Sequence, residues 1–147
     1  MANPGAATTV TANQQSVTTQ QALRLIGVAK GVGLGAAIDI PFTILSGTQN
    51  WVPVSVITSN SITTATGASV SVATATVGVY TAPNQGGTVV LTTAALALQA
   101  ASNYVKIQPA TNAATAVVNA GYVLYANIGV TVPGAQVDIF VYGYDLS

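Results

Sequence analysis

With 147 residues the chain has room for one domain of ordinary size, whose core needs no disulfide, and it contains no cysteine to make one. Only 4% of its residues are charged and the net charge is zero, whereas an average soluble domain is about one-quarter charged. Three basic residues, Arg24, Lys30 and Lys106, cannot neutralise a run of phosphates, so neither nucleic acid nor an anionic membrane surface is expected as a partner.

A net charge near zero favours association, because little electrostatic repulsion keeps copies apart. Such a surface suits a protein that spends its life assembled. The alternative on composition alone is a secreted, Thr-rich β domain with no assembly role. Met1-Ala2-Asn3-Pro4 lacks the basic start and apolar run of a signal peptide, so synthesis in the cytoplasm is expected.

Residues 1–21 hold no charge and no large apolar residue beyond Met1 and two valines. This segment cannot offset its ordering entropy alone and reads as a polar arm, extended or disordered until it meets a neighbouring subunit. Residues 22–147 read as a single β-sandwich domain. The most apolar stretch, Leu23 to Leu45, is interrupted by Arg24, Lys30, Asp39 and Pro41, which argues against a membrane-spanning helix. Within it, Lys30-Gly31-Val32-Gly33-Leu34-Gly35 lacks the Gly-Lys-Ser/Thr ending of a phosphate loop and reads as a flexible glycine link.

Ile38 to Ile44 alternates, with Ile38, Ile40, Phe42 and Ile44 on one face. Pro41 cannot donate a ladder hydrogen bond, which predicts an edge strand or a bulge. After a loop at 46–50, Trp51 to Thr58 is a second strand, with Val52, Val54 and Val56 expected to share a face. Val70 and Val72 begin another, and the parity shifts before Val77 and Val79, so a turn or bulge lies between. Val77 to Leu91 reads as a hairpin with a long tip at Ala82–Gly87. Thr92 to Ala101 fits a short helix or a strand. Tyr104 to Ile107 is a short strand ending before Pro109, and 110–120 is a loop with a strand start near Val117. Tyr122 to Val130 is a strand with Leu124, Ala126, Ile128 and Val130 on one face. Pro133-Gly134 is a turn, and Gln136 to Tyr144 is the last strand. About eight strands at regular spacing predict an all-β, antiparallel β-sandwich, in the form of a jelly roll with an extended N-terminal arm.

Catalytic chemistry is poorly supplied. His and Glu are absent, as is Cys, so no Ser–His–Asp or Cys–His triad can form within the chain. The three carboxylates, Asp39, Asp138 and Asp145, are dispersed and sit in no Asp-Thr-Gly or Asp-Ser-Gly setting. Structural zinc asks for Cys or His, and calcium for clustered acidic oxygens. No catalytic, cofactor or metal residues are expected, and the chain is not expected to be an enzyme.

The last strand is unusual because both its faces are apolar. Val137, Ile139 and Val141 form one, and Phe140, Tyr142 and Tyr144, with Asp138 among them, form the other. Either the chain's own loop covers the second face or another subunit does; interface cores are enriched in aromatic residues. Trp51, the one tryptophan, reads as a core or interface anchor ahead of a sugar-stacking platform. Trp51, Phe140, Tyr142 and Tyr144 are therefore the candidate interface, toward another subunit or a larger assembly.

The segments Ser71-Val72-Ala73-Thr74-Ala75-Thr76-Val77-Gly78-Val79-Tyr80-Thr81-Ala82-Pro83-Asn84-Gln85-Gly86-Gly87-Thr88 and Ala135-Gln136-Val137-Asp138-Ile139-Phe140-Val141-Tyr142-Gly143-Tyr144-Asp145-Leu146 resemble stretches of small tailed-bacteriophage head proteins. The likeness spans Ile38 to the end and leaves out the arm. It implies a jelly-roll decoration, or cement, protein: a homotrimer on the outer surface of the phage capsid that clamps the major capsid protein lattice, with no cofactor. A rival reading on the same composition is a phage tail-fibre or spike module binding host glycan, which predicts an exposed Trp51 or a tyrosine cluster. A third is a secreted carbohydrate-binding module, which calls for a signal peptide.

Overall fold

The computed structural model describes residues 23–45, 48, 50–96, 106–111, 117–118 and 123–146. Among them every helix-or-strand element is a strand: β1 Leu23–Gly33, β2 Asp39–Thr43, β3 Trp51–Thr63, β4 Thr76–Ala82, β5 Gly86–Ala95, β6 Lys106–Pro109, β7 Val123–Ile128 and β8 Ala135–Asp145. They form two four-stranded sheets, ordered β1-β8-β3-β6 and β2-β7-β4-β5. The antiparallel pairing is nested: β4 with β5, β3 with β6, β2 with β7, β1 with β8. Successive pairs fall in opposite sheets, so the topology is one long hairpin wrapped around a core. That is the jelly roll the strand count predicts. The N-terminal arm lies outside the described residues.

The core follows from period-two alternation in both sheets. Ile26, Ala29 and Val32 of β1, Val137, Ile139 and Val141 of β8 and Val56 of β3 point inward from one sheet. Phe42, Leu124, Ala126, Ile128, Val77 and Val79 meet them from the other, and the connecting residues Leu34, Val72, Leu96 and Val118 join the same cluster. Each fully buried Val or Ile contributes about 1.5–3 kcal/mol of transfer free energy, so the three inward residues of β8 alone weigh heavily in a marginal total.

Several expectations shift where the ladder is irregular. β3 slips against β8 between Pro53 and Ser55 and again between Ser59 and Ile62. The first slip reverses the parity, so Val52 and Val54 are half-buried on the outer side while Val56 is in the core. Lys30 to Gly33 are not a free link but the end of β1, which slips against β8 between Ala29 and Val32. Gly31 sits in that bulge with φ +64°, a conformation that glycine adopts without strain. Val70 and Val72 belong to no named strand; the nearest pairing is an isolated Ile62–Ser69 bridge. Ile38 and Val130, expected to face inward, flank β2 and β7 and are 52% and 50% exposed.

The β4–β5 hairpin is present, with a shorter tip than predicted. Gly86 N–H donates to Pro83 O at 3.1 Å, and the central residues Asn84 and Gln85 have φ of 57° and 58°, the backbone of a tight two-residue hairpin turn. Thr92 to Ala95 continue β5 as strand, while residues 97–101 lie outside the described residues. Pro109 ends β6 instead of following it; Tyr104 and Val105 lie outside the described residues. Val118 pairs with Trp51 in an isolated bridge. Pro41 is on an edge strand, as its missing N–H requires.

Candidate interaction face

The outward side of the β1-β8-β3-β6 sheet carries the aromatic residues of the last strand. The register places them in rows that run across the sheet. Phe140 lies between Val28 of β1 and Ile57 of β3, and Ile57 is followed by Ile107 of β6. Tyr142 lies between Leu25 and Ser55, with Pro109 beyond. Tyr144 lies between Leu23 and Val52. Ser55 is the one polar residue in these rows. Phe140 and Tyr142 are half-buried by their neighbours, whereas Leu23, Tyr144 and Ile107 are 52%, 38% and 67% exposed. A solvated antiparallel sheet alternates apolar-in and polar-out. Over these rows this one is apolar on both sides, while the rows through Asp138 and Gln136 are polar, and contiguous exposed apolar patches mark interaction sites.

The opposite sheet behaves differently. Part of its outer side is a polar network, next to a row of Pro41, Tyr125, Tyr80 and Val89. Asp39 accepts from Asn84 N–H at 2.7 Å and from Asn127 Nδ2 at 2.8 Å. Asn127 Oδ1 accepts from Thr93 Oγ1 at 2.9 Å and Gln85 Nε2 at 3.2 Å, and Tyr80 OH accepts from Thr93 N–H at 3.0 Å. The network ties the hairpin tip to β2 and β7. An open hollow of about 510 Å³ beside it is lined by Ala37, Ile38, Asp39, Asn84, Gln85 and Asn127, with no aromatic residue among them. A second open groove, of about 540 Å³, runs between β1 and β2 over Phe42, Ile40 and Val32.

Trp51 does not belong to the face. It is fully buried, and it is held there by backbone on both sides. Trp51 and Val118 exchange N–H···O bonds of 3.2 and 2.7 Å. Gly143 of β8 packs on its ring, and a Cβ at Gly143 would stand 2.8 Å from Trp51 Cε3 and 2.5 Å from Val52 O. The core side of the Trp51 expectation holds, and the interface side is corrected: the ring offers no surface to a partner. Its Nε1 has no hydrogen-bond partner among the described residues.

The carboxylates are also accounted for. Asp138, at the end of the aromatic face, accepts from Gly31 N–H at 2.8 Å and from Asn60 Nδ2 at 3.1 Å. Gly31 and Asn60 lie in the bulges of β1 and β3, so one side chain pins an irregularity on each strand flanking β8. Asp39 holds the hairpin tip. Asp145 is paired with Arg24 at 2.8 Å, joining the end of β8 to the start of β1. No two of these sites coincide, and among the described residues no group of three or more His, Cys, Asp or Glu could hold a metal ion. The role of Asp138 was not legible in the sequence, because nothing in the alternating pattern marks a bulge on a neighbouring strand.

No protein family, curated protein or solved structure matches this chain.

Proposed function

We propose that the chain is a viral structural protein: a decoration, or cement, protein that binds the outside of a phage head and stabilises the major capsid protein lattice. The observation that carries the assembly reading is the apolar outer face of the β1-β8-β3-β6 sheet, on a chain of zero net charge. The likeness of residues 71–88 and 135–146 to phage head proteins supplies the capsid, and the jelly-roll topology agrees with it.

The mechanism is mass action. A protein that binds only the assembled lattice stabilises it by its binding free energy, and contacts repeated around a closed oligomer add through effective concentration. A homotrimer matches threefold positions of such a lattice. No group in the chain is asked to do chemistry, and none of the three carboxylates stands free of a structural bond. The rival glycan-binding module keeps Tyr142 and Tyr144 as a stacking surface, but Trp51 is withdrawn from it and the rows beside the tyrosines offer a sugar only Ser55 as a side-chain hydrogen-bond partner.

Binding to particles tests the proposal. Expanded capsids lacking the chain should take it up at saturating, lattice-like stoichiometry and then resist heat or chelation better than bare capsids. Uptake of a few copies per particle would favour a tail or fibre module, and no uptake would remove the capsid role.

A further inference from the structure

The β2-β7-β4-β5 sheet holds a feature that the assembly reading leaves unused. Four of the six residues lining the open hollow of about 510 Å³ beside its network are polar: Asp39, Asn84, Gln85 and Asn127. Ala37 and Ile38 complete the lining. The hairpin turn that carries two of these residues is built at a steric cost. Asn84 and Gln85 have φ of 57° and 58°, a conformation that asparagine tolerates and glutamine rarely adopts. A glycine at 85 would make the same turn without strain, so what the position gains from glutamine is its carboxamide. That carboxamide lines the hollow, where Nε2 donates to Asn127 Oδ1 at 3.2 Å. Strained backbone that brings a polar side chain to a concavity is characteristic of ligand sites.

We propose that this hollow binds one ring of a neutral saccharide. Its size is that of a small-molecule site, and its chemistry selects the class. An anion would meet the Asp39 carboxylate and no cationic side chain. Arg24 is paired with Asp145 on the other sheet, Lys106 Nζ donates to Ala95 O at the opposite end of β5, and Lys30 lines the separate groove between β1 and β2. A metal ion would find one carboxylate, whose two oxygens already accept from Asn84 N–H and Asn127 Nδ2. A flat aromatic ligand would find no ring in the lining to stack on. What the hollow offers is carboxamides held in place. Gln85 and Asn127 each spend one amide N–H on the network, and each amide nitrogen carries a second. Gln85 Oε1 and the exposed Asn84 carboxamide add further acceptors and donors. Sugar hydroxyls both donate and accept, as carboxamides do, and groups fixed beforehand lose little freedom on binding. Ala37 and Ile38 supply apolar contact for the C–H groups of the ring. Pro41 and Tyr125 pair in the next outward row beyond Asp39 and Asn127, an apolar step for a second ring. The inference goes beyond the capsid reading and does not rest on it.

Proton–nitrogen NMR correlation spectra of the full chain test this, because the side-chain amide groups of Asn84, Gln85 and Asn127 report directly. D-glucose, D-galactose, D-mannose and N-acetyl-D-glucosamine are titrated one at a time to about 50 mM, and at least one is expected to move those signals with a dissociation constant on the order of 1 mM. Sodium phosphate and calcium chloride at the same concentration should leave them in place. Gln85→Gly is expected to weaken the binding at least tenfold without lowering the thermal midpoint, since glycine relieves the strain of the turn. Ser55→Ala, on the other sheet, should bind as the wild type does. Affinity electrophoresis in dextran, galactan and mannan identifies the source: retardation by the polymer of the sugar that binds assigns a surface glycan, and binding of the monosaccharide alone assigns a free sugar. The inference is overturned if none of these sugars or polymers moves the three side chains, or if phosphate or calcium moves them equally. It is also overturned if Gln85→Gly binds as tightly as Ser55→Ala. Chains that coat capsids yet ignore every sugar would sink it and leave the capsid role standing.

Discussion

At the scale of single residues, the scarcity of charge gives each carboxylate a measurable task. Asp138 satisfies donors from two bulges at once, through hydrogen bonds that are solvent-exposed, so each is worth less than the roughly 1.5–3 kcal/mol of a protected bond to a charged group. Asp138→Ala is therefore expected to cost about 0.5–1.5 kcal/mol in urea unfolding and to speed hydrogen exchange at the Gly31 amide. Asp138→Asn, which keeps an acceptor oxygen, should cost less; equal costs would show that the bulges hold without it. Gly143 is a second such position. Its hydrogen is all that fits between Trp51 and the Val52 carbonyl, so Gly143→Ala should destabilise by about 1–3 kcal/mol through overpacking, read as a lower urea midpoint at unchanged slope. A midpoint shift near zero would mean the Trp51 ring has room to move.

At the scale of elements, Asp39 holds the β4–β5 tip in place, where Asn84 and Gln85 both adopt the left-handed region that residues other than glycine enter at some cost. Asp39→Ala should loosen the tip selectively. Exchange at the Asn84 amide should rise while the amides of β8 keep their protection, and a uniform rise across both sheets would contradict a local role. The same elements show what the sequence discloses. Strands with uninterrupted alternation, β2, β7 and β8, are readable to within a residue or two, because period two places their side chains without ambiguity. β3 is not readable in detail, because its slips at Pro53–Ser55 and Ser59–Ile62 arise from pairing with β8, a contact between residues far apart in the chain. Bulged Gly31 looks like a flexible link for the same reason. Of the candidate interface, Phe140, Tyr142 and Tyr144 were legible from two apolar faces on one strand. Their partners Val28, Ile57 and Ile107 were not, since register across four strands decides them.

At the scale of the whole molecule, one outer sheet face carries a hydrogen-bonded polar network and the other a block of apolar and aromatic rows. A molecule so built has little that responds to pH or salt. His and Cys, the side chains that ordinarily titrate between about pH 6 and 9, are absent, as is Glu. Stability changes with pH only where folded and unfolded chains bind different numbers of protons. Unfolding free energy should therefore vary by less than about 1 kcal/mol across that range, and a larger slope would point to a titrating group the composition does not supply.

We propose a structural subunit spread over a capsid. Quantitative mass spectrometry of purified particles, comparing its copy number with that of the major capsid protein, tests it most directly. Comparable numbers are expected. A handful of copies per particle, or none, would contradict it.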